Sequence, residues 1–562
     1  MSAIRASART APVWSKLRIA VALLGVVLVT VGSLSFAGVG PASAVGTVHA
    51  PIVGSGSTWS ANALQAWLRN VWANYQWKIT YSESGSTQGR NDFANGTADF
   101  GVSEIPYAIS DSNEGDEPPT REFAYMPIVA GGTAFMYNLQ IAGKKVTNLR
   151  LSGETLALIF TGGITVWNDD RIKADNPGLA GALPAIPIVP VVRSDGSGTS
   201  AQFSLYMRQQ HTAIWDAYCG KVGRPLVNGH CGVTSNYPIV AGSGFVAKAQ
   251  ANGVAGYVAQ SHAVGAITFV EYSYALNSGF PVAKMLNAAG YYTEPTAQNV
   301  AVALLSARIN EDTSSQNYLT QDLSNVYGSP DARVYPLSSY SYIILPTALE
   351  NGFTENKGLT LADFGSYFLC EGQQSAEVLG YSPLPINLVQ AGQSQIQKVP
   401  GGNPTIKGIT DCNNPTFSPD GSNKLANEAP NPPECDRQGA TQCITGTGGA
   451  KETSTDPGGT GGGTTDAGTT GPGTTGPGAT GGGDGTNGGP GAPGAVDVDA
   501  APVVIAATPQ SIPVAAVGIL PSLAMVGAGG GMLAFSAVPP ILGKRARRRP
   551  LLPISTHSGD NR

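Results

Sequence analysis

Between about Gly446 and Ala500 the chain passes through "GGTGGGTTDAGTTGPGTTGPGATGGGDGTNGGPG", built almost wholly from Gly, Thr, Pro, Ala and Asp. Such a stretch lacks the apolar side chains that offset the entropy of ordering, so a disordered, flexible stalk is expected over 446–510 and no domain. Whatever core this chain builds must come from the residues before it. The charged fraction of the whole chain, 13%, is low against the ~25% usual for globular chains, so part of the length is expected to be other than ordinary folded domain.

Both ends carry membrane signals. Arg5, Arg9, Lys16 and Arg18 precede the apolar run "IAVALLGVVLVTVGSLSFAGVG" and then "PASA". That order describes a secretory signal peptide over 1–44, cleaved after Ala44. Beyond the stalk, "VAAVGILPSLAMVGAGGGMLAFSAVPPIL" is long enough to span a bilayer, and "GKRARRRP" follows it. A C-terminal transmembrane anchor over 511–543 with a basic cytoplasmic tail over 544–562 is the expected topology. The protein is then displayed outside the plasma membrane, at the cell surface. A net charge of −5 with no basic stripe argues against nucleic acid as a partner.

Six cysteines occur in this exported part, without Cys-x-x-Cys spacing, and the five histidines are scattered. Structural disulfides are expected rather than a metal site, with Cys219 and Cys231, near neighbours in the chain, as the first pair. From Val45 to Cys443, strand-like runs such as "KITYSES", "ADFGVSE", "YMPIVAGGTAFMYNL", "IPIVPVVRSD" and "AVGAITFV" alternate with helical patterns such as "SANALQAWLRNVWANY", "SGETLALIFTG", "SAQFSLYMRQQ" and "NVAVALLSARIN". Alternation of this kind predicts an α/β fold with largely parallel sheets. Roughly 400 residues exceed what one compact core usually holds, so two lobes are expected.

Three Gly/Ser-rich turns precede helices: "GSGSTW", "SGSTQG" and "RSDGSGTS". The first turn of a helix has unpaired N–H groups and a partial positive charge, so it can seat an anion without a lysine. Glycines allow close approach and hydroxyls add donors. A simple helix cap is the competing explanation for each turn. Arg193 and Asp195 favour the anion seat, since a guanidinium fork matches an oxyanion and a carboxylate orients the fork. None of the turns has the Gly-Lys-Ser/Thr or Gly-x-Gly-x-x-Gly context of a nucleotide loop. Gly-x-Ser-x-Gly is not supplied either, and His49, His211, His230 and His262 stand in no hydrolase motif, so a binder is expected and not an enzyme.

"GSGSTW", "SGSTQGRNDFANGTADFGVSE", "VVRSDGSGTSAQFSLYM", "VGAITFVEYSYAL", "YPLSSYSYII" and "LGYSPLP" resemble, in order and spacing, the periplasmic phosphate-binding proteins of ABC-type phosphate uptake systems. The resemblance covers roughly residues 48 to 390. It implies a two-lobed periplasmic-binding-protein-like (type II) fold whose lobes close on dehydrated inorganic phosphate, as a monomer, with no cofactor, no metal and no catalytic residue, for ABC permease subunits. Lobe I is expected over 45–130 and 276–410, lobe II over 131–275, and a Cys-containing extension over 411–445. Carried over residue by residue, the resemblance places Thr58, Trp59, Ser86, Arg193, Asp195, Ser197, Gly198 and Thr199 at the ligand. Glu104 stands where the family has an aspartate that accepts a proton from phosphate, one methylene longer. A surface-anchored sensor or adhesion module uncoupled from transport, or a binder of another small oxyanion, is the alternative function.

Overall fold

The computed structural model describes residues 48–109, 111–112, 117–404, 408, 411–439 and 441–455. The signal peptide, most of the stalk, the C-terminal apolar segment and the basic tail lie outside the described residues. Among the described residues no helix is long and apolar enough to cross a membrane.

The strand-like runs form one 11-stranded sheet. Its strands are β1 (Ile52–Gly56), β2 (Ile79–Ser82), β3 (Phe100–Ser103), β4 (Phe123–Tyr137), β5 (Arg150–Leu151), β6 (Val189–Arg193), β7 (Val246–Lys248), β8 (Ala266–Glu271), β9 (Val282–Leu286), β10 (Tyr292–Thr293) and β11 (Ser338–Pro346). The main order is β7-β6-β8-β4-β11-β3-β1-β2, with β9 pairing β4, β5 and β10. Parallel pairs occupy the two ends, β1 with β2 and β3, and β6 with β7 and β8. The centre is antiparallel, because β4 pairs with β8 and β11 in that sense. The sheet is therefore mixed, and not largely parallel as the alternation of elements suggests.

The long apolar run at β4 organises the molecule. Its 15 residues pair first with β11 over Phe123–Gly132 and then with β8 over Thr133–Tyr137. One strand thus passes from one hydrophobic core to another. The first core gathers Ile52, Trp67, Val102, Met126, Ile344 and Phe368. The second gathers Phe135, Phe160, Trp167, Phe203, Trp215 and Phe269. The second core also takes in Ala283, Met285, Val326 and Tyr335, while Val300 packs in the first, so the chain between residue 276 and β11 contributes to both cores. The cause is β9, whose Val282 and Ala283 pair with the far end of β4 at Met136 and Phe135.

Helices cover the sheet where their apolar spacing predicts. On α1 (Ala61–Tyr75), Leu64, Trp67, Leu68 and Val71 are buried, the i, i+3, i+4, i+7 stripe of a helix on a core. The helix stops where Gln76 turns left-handed at φ 58°. The other helices that matter for the site are α2 (Ser86–Ala94), α3 (Gly198–Gln210) and α4 (Gln250–Val258). The pattern "NVAVALLSARIN" is helical only through Leu304, and Arg308–Ile309 is already a short strand.

All six cysteines are paired, Cys219 with Cys231 as their closeness in the chain indicates, Cys370 with Cys412 and Cys435 with Cys443. The chain also stays in the fold past Gly446, the point where composition places the start of the stalk. Thr447 Oγ1 donates to Val282 O at 2.5 Å, Thr147 Oγ1 donates to Thr453 O at 2.6 Å, and Thr147 N donates to Thr455 Oγ1 at 2.9 Å. Threonine hydroxyls supply the hydrogen bonds that a segment without apolar side chains needs in order to dock.

Cys370 and Cys412 both sit in the first core, 42 residues apart. Closing a loop of that length stabilises a chain by about 4 kcal/mol in the entropy account. The double substitution Cys370→Ser with Cys412→Ser is expected to lower the denaturation midpoint accordingly. An unchanged midpoint in chemical unfolding would show that the extension docks without needing its cross-link.

Candidate functional site

The three Gly/Ser-rich turns meet at one place. Gly85 N donates to Gly56 O at 2.8 Å, tying the second turn to the first, and Thr87 N donates to Gly196 O at 3.2 Å, tying it to the third. Gly56 is required there: its φ is +142°, and a Cβ would fall 2.1 Å from Val102 O.

Helix capping does not explain the first two turns. Neither Ser60, before α1, nor Gly85, before α2, makes a side-chain cap. Ser197 does cap α3, accepting from Ser200 N at 3.4 Å. Gly198, the first residue of α3, sends its N–H across to Ser86 Oγ at 3.0 Å. The starts of α2 and α3 therefore face each other.

Arg193 closes the third turn onto the first. It ends β6 and is 3% exposed. Its Nε donates to Asp195 Oδ1 at 2.7 Å, its Nη2 forms an ion pair with Asp195 Oδ2, and its Nη1 donates to Thr58 Oγ1 at 2.9 Å. Burial raises the Asp195 pKa, but the Arg193 hydrogen bonds and charge outweigh it and hold the carboxyl below its ordinary range. Asp195 Oδ1 also accepts from Gln250 N, the first residue of α4, at 2.9 Å. The guanidinium is thus aimed by a fixed carboxylate, the arrangement suited to an oxyanion.

Glu104, just past β3, lies at the centre and is 1% exposed. Its Oε2 accepts from Ser86 Oγ at 2.7 Å. Its Oε1 accepts from Ser341 Oγ at 2.5 Å and from Ser57 Oγ. Ser57 Oγ in turn accepts from Trp59 N at 2.9 Å. Two backbone N–H groups, those of Trp59 and Gly198, therefore reach the carboxylate through serine hydroxyls.

Of the residues expected at the site, Thr58, Arg193 and Asp195 form one connected group, and Ser86, Glu104 and Gly198 another. Ser197 serves its own helix start, and the Trp59 N–H is turned to Ser57 while its indole donates to Thr133 Oγ1 at 3.4 Å. Thr199 is buried at the start of α3. Ser57 and Ser341 were not expected there. Ser57 lies inside the quoted "GSGSTW" but 47 residues from Glu104, and Ser341, in "SSYSYII", is 237 residues away, so no local pattern points from either to Glu104. Tyr274 is a third addition, its hydroxyl donating to Thr58 O at 2.5 Å. Burial first, then the nearby carboxylates, push its pKa far up, so it stays a neutral donor.

Chemically, the place offers hydroxyl and backbone donors, one guanidinium and one carboxylate acceptor. Among the described residues no group of three His, Cys, Asp or Glu side chains converges to hold a metal ion.

Residues 40–371 match the family described as PBP superfamily domain. The chain is similar to the phosphate-binding protein PstS of Methanocaldococcus jannaschii, 29% identical over 354 residues that cover 61% of this chain and 85% of that protein. It is likewise similar to the phosphate-binding protein PstS of Xylella fastidiosa strain Temecula1, 33% identical over 357 residues, 62% of this chain and 86% of that one. Among solved structures, the ancestral soluble variant of the Human Phosphate Binding Protein aligns over 64% of this chain and all of its own, at 19% identity and a TM-score of 0.47.

Proposed function

Since this chain belongs to the PBP superfamily and, within it, to the PstS phosphate-binding proteins, we propose that it captures inorganic phosphate outside the cytoplasm for an ABC-type importer. The observation that carries this reading is the meeting of the α2 and α3 starts and the Arg193–Asp195–Thr58 group around one buried carboxylate. Thr58, Ser86, Arg193, Ser197, Gly198 and Thr199 supply the donors to phosphate, and Trp59 packs beside them with its N–H turned to Ser57. Asp195 aims the arginine, and Glu104 accepts the proton that phosphate keeps and sulfate lacks.

Two lobes close over the anion, one built on each hydrophobic core, with β4 and the approach to β11 as the two crossings. Binding energy from both sides drives closure, and the closed form is what a permease reads. The protein works as a monomeric binder without catalysis. The N-terminal signal, three disulfides and the stalk support display outside the cell membrane, with the apolar segment at 511–543 as the anchor.

Calorimetric titration of the full chain tests the reading, with phosphate and separately with sulfate, after carried-over ligand is removed by partial unfolding. Tight phosphate binding with sulfate rejected is the expected result. Binding of neither anion would leave the turns as scaffold and favour the surface module uncoupled from transport. A preference for sulfate or another oxyanion would reassign the ligand.

A further inference from the structure

The two oxygens of Glu104 have different surroundings. Oε2 faces the start of α3: it accepts from Ser86 Oγ, and a Cβ built on Gly198 would come within 2.0 Å of it. Oε1 points the other way, into two hydroxyls from elsewhere in the fold, Ser57 just past β1 and Ser341 in β11. Both serines are fully buried.

Each hydroxyl has a fixed direction. Ser57 Oγ already accepts from Trp59 N at 2.9 Å, which leaves its proton for Glu104. Ser341 sits where the register of β11 on β4 shifts, between Ser341 and Tyr342. Irregularities of this kind re-aim a side chain out of the regular alternation. A carboxylate oxygen that accepts from two hydroxyls has both lone-pair directions engaged.

We propose that Ser57 and Ser341 are positioning residues that set the anion selectivity of this site. By engaging Oε1, they fix the carboxylate so that Oε2 is presented to the ligand as an acceptor unable to turn away. A glutamate has more rotatable bonds than an aspartate and needs such restraint to act as a rigid selector. An oxyanion that carries a proton donates it to Oε2. A fully ionised oxyanion meets an immovable negative charge and is rejected.

The inference rests on the phosphate reading, so its test starts with the wild-type full chain. Phosphate and sulfate affinities are measured by calorimetry, with phosphate displacement for weak sulfate binding, for wild type, Ser57→Ala, Ser341→Ala and Ser341→Thr. Each alanine variant is expected to lose about tenfold in phosphate affinity, the scale of one hydrogen bond to a charged group. Its preference for phosphate over sulfate should fall by about a hundredfold, because the freed carboxylate turns away from sulfate. Ser341→Thr keeps the hydroxyl and should restore the preference.

A preference unchanged in both alanine variants overturns the proposal. So does a loss of both affinities in equal proportion, the signature of a merely structural role. Far-UV circular dichroism shows whether each variant is folded, and Ser341→Ala, which removes one small polar atom, stands if Ser57→Ala does not. A wild-type chain that takes neither anion removes the phosphate reading itself, a result distinct from any change among the variants.

Discussion

Arg193→Ala is expected to weaken phosphate binding by about a thousandfold or more while the chain remains folded. The guanidinium is buried beside the proposed anion site and held by three hydrogen bonds, two to Asp195 and one to Thr58. Removing one member of a buried charged pair costs about 3–5 kcal/mol, because its partner is left uncompensated. Here that partner is Asp195, a negative charge at the edge of an anion seat, so the loss of attraction is compounded by repulsion. Arg193→Lys keeps the charge but not the planar fork, and its affinity should lie between wild type and Arg193→Ala. Calorimetry with phosphate measures all three. Ser152→Ala is the control: Ser152 caps a helix through Thr155 N, outside the site, so it should cost about 1 kcal/mol of stability and leave the affinity unchanged. Wild-type affinity in Arg193→Ala would place the anion elsewhere.

The same pair has a pH signature. Although burial alone would raise it, Arg193 holds the Asp195 pKa below its ordinary 3.8. A folded value below the unfolded one contributes stability above pH 3.8, and that contribution is lost as pH falls through the lowered value. The stability gap between wild type and Arg193→Ala should therefore narrow as the solution is acidified below that ordinary value. A gap that widens on acidification would show that the pair is not what holds Asp195 ionised.

The second large effect is expected from Gly198→Ala. Its Cβ would lie 2.0 Å from Glu104 Oε2, 2.8 Å from Ser86 Oγ and 2.9 Å from Glu104 Cβ. Glu104 cannot swing aside freely, since Ser57 and Ser341 hold its other oxygen. The methyl group must push apart the groups that the anion needs at their present spacing. Gly198 opens a helix, and alanine is the better helix former by ~1 kcal/mol, so the backbone should accept the change. The expected outcome is a folded protein whose phosphate affinity falls by more than about a hundredfold, the effect of placing a methyl in a site that tolerates no 1 Å shift. Calorimetry alongside thermal unfolding checks it. Undiminished affinity would mean that the start of α3 is not where the anion binds.

Much of this site is legible along the chain, and the reason is local. Each turn-plus-helix unit writes its donors within a few consecutive residues, as in "GSGSTW" and "RSDGSGTS", because a helix start must place its own glycines and hydroxyls next to one another. Arg193 and Asp195 are equally local, two residues apart at one strand end. The same locality explains the Cys219–Cys231 pair. The signal-like N-terminus, the stalk and the apolar C-terminal segment are likewise matters of composition over contiguous runs.

Contacts between distant segments are written nowhere in sequence order. Ser341 reaches Glu104 across 237 positions, and it does so because β11 enters the sheet between β3 and β4 with a register shift at that residue. Residues just beyond 276 join the second core because β9 pairs with the end of β4, a choice among strands of similar apolar character. The sense of the central strands is undecided by alternation for the same cause. Local chemistry, then, was determined by the sequence itself: three Gly/Ser-rich turns before helices, one aimed arginine and one carboxylate. Which oxygen of that carboxylate is held, and by which serines, was decided only when the long strand β4 brought two cores into one sheet, since hydrogen-bond partners are selected by distance in space and not by position in the chain.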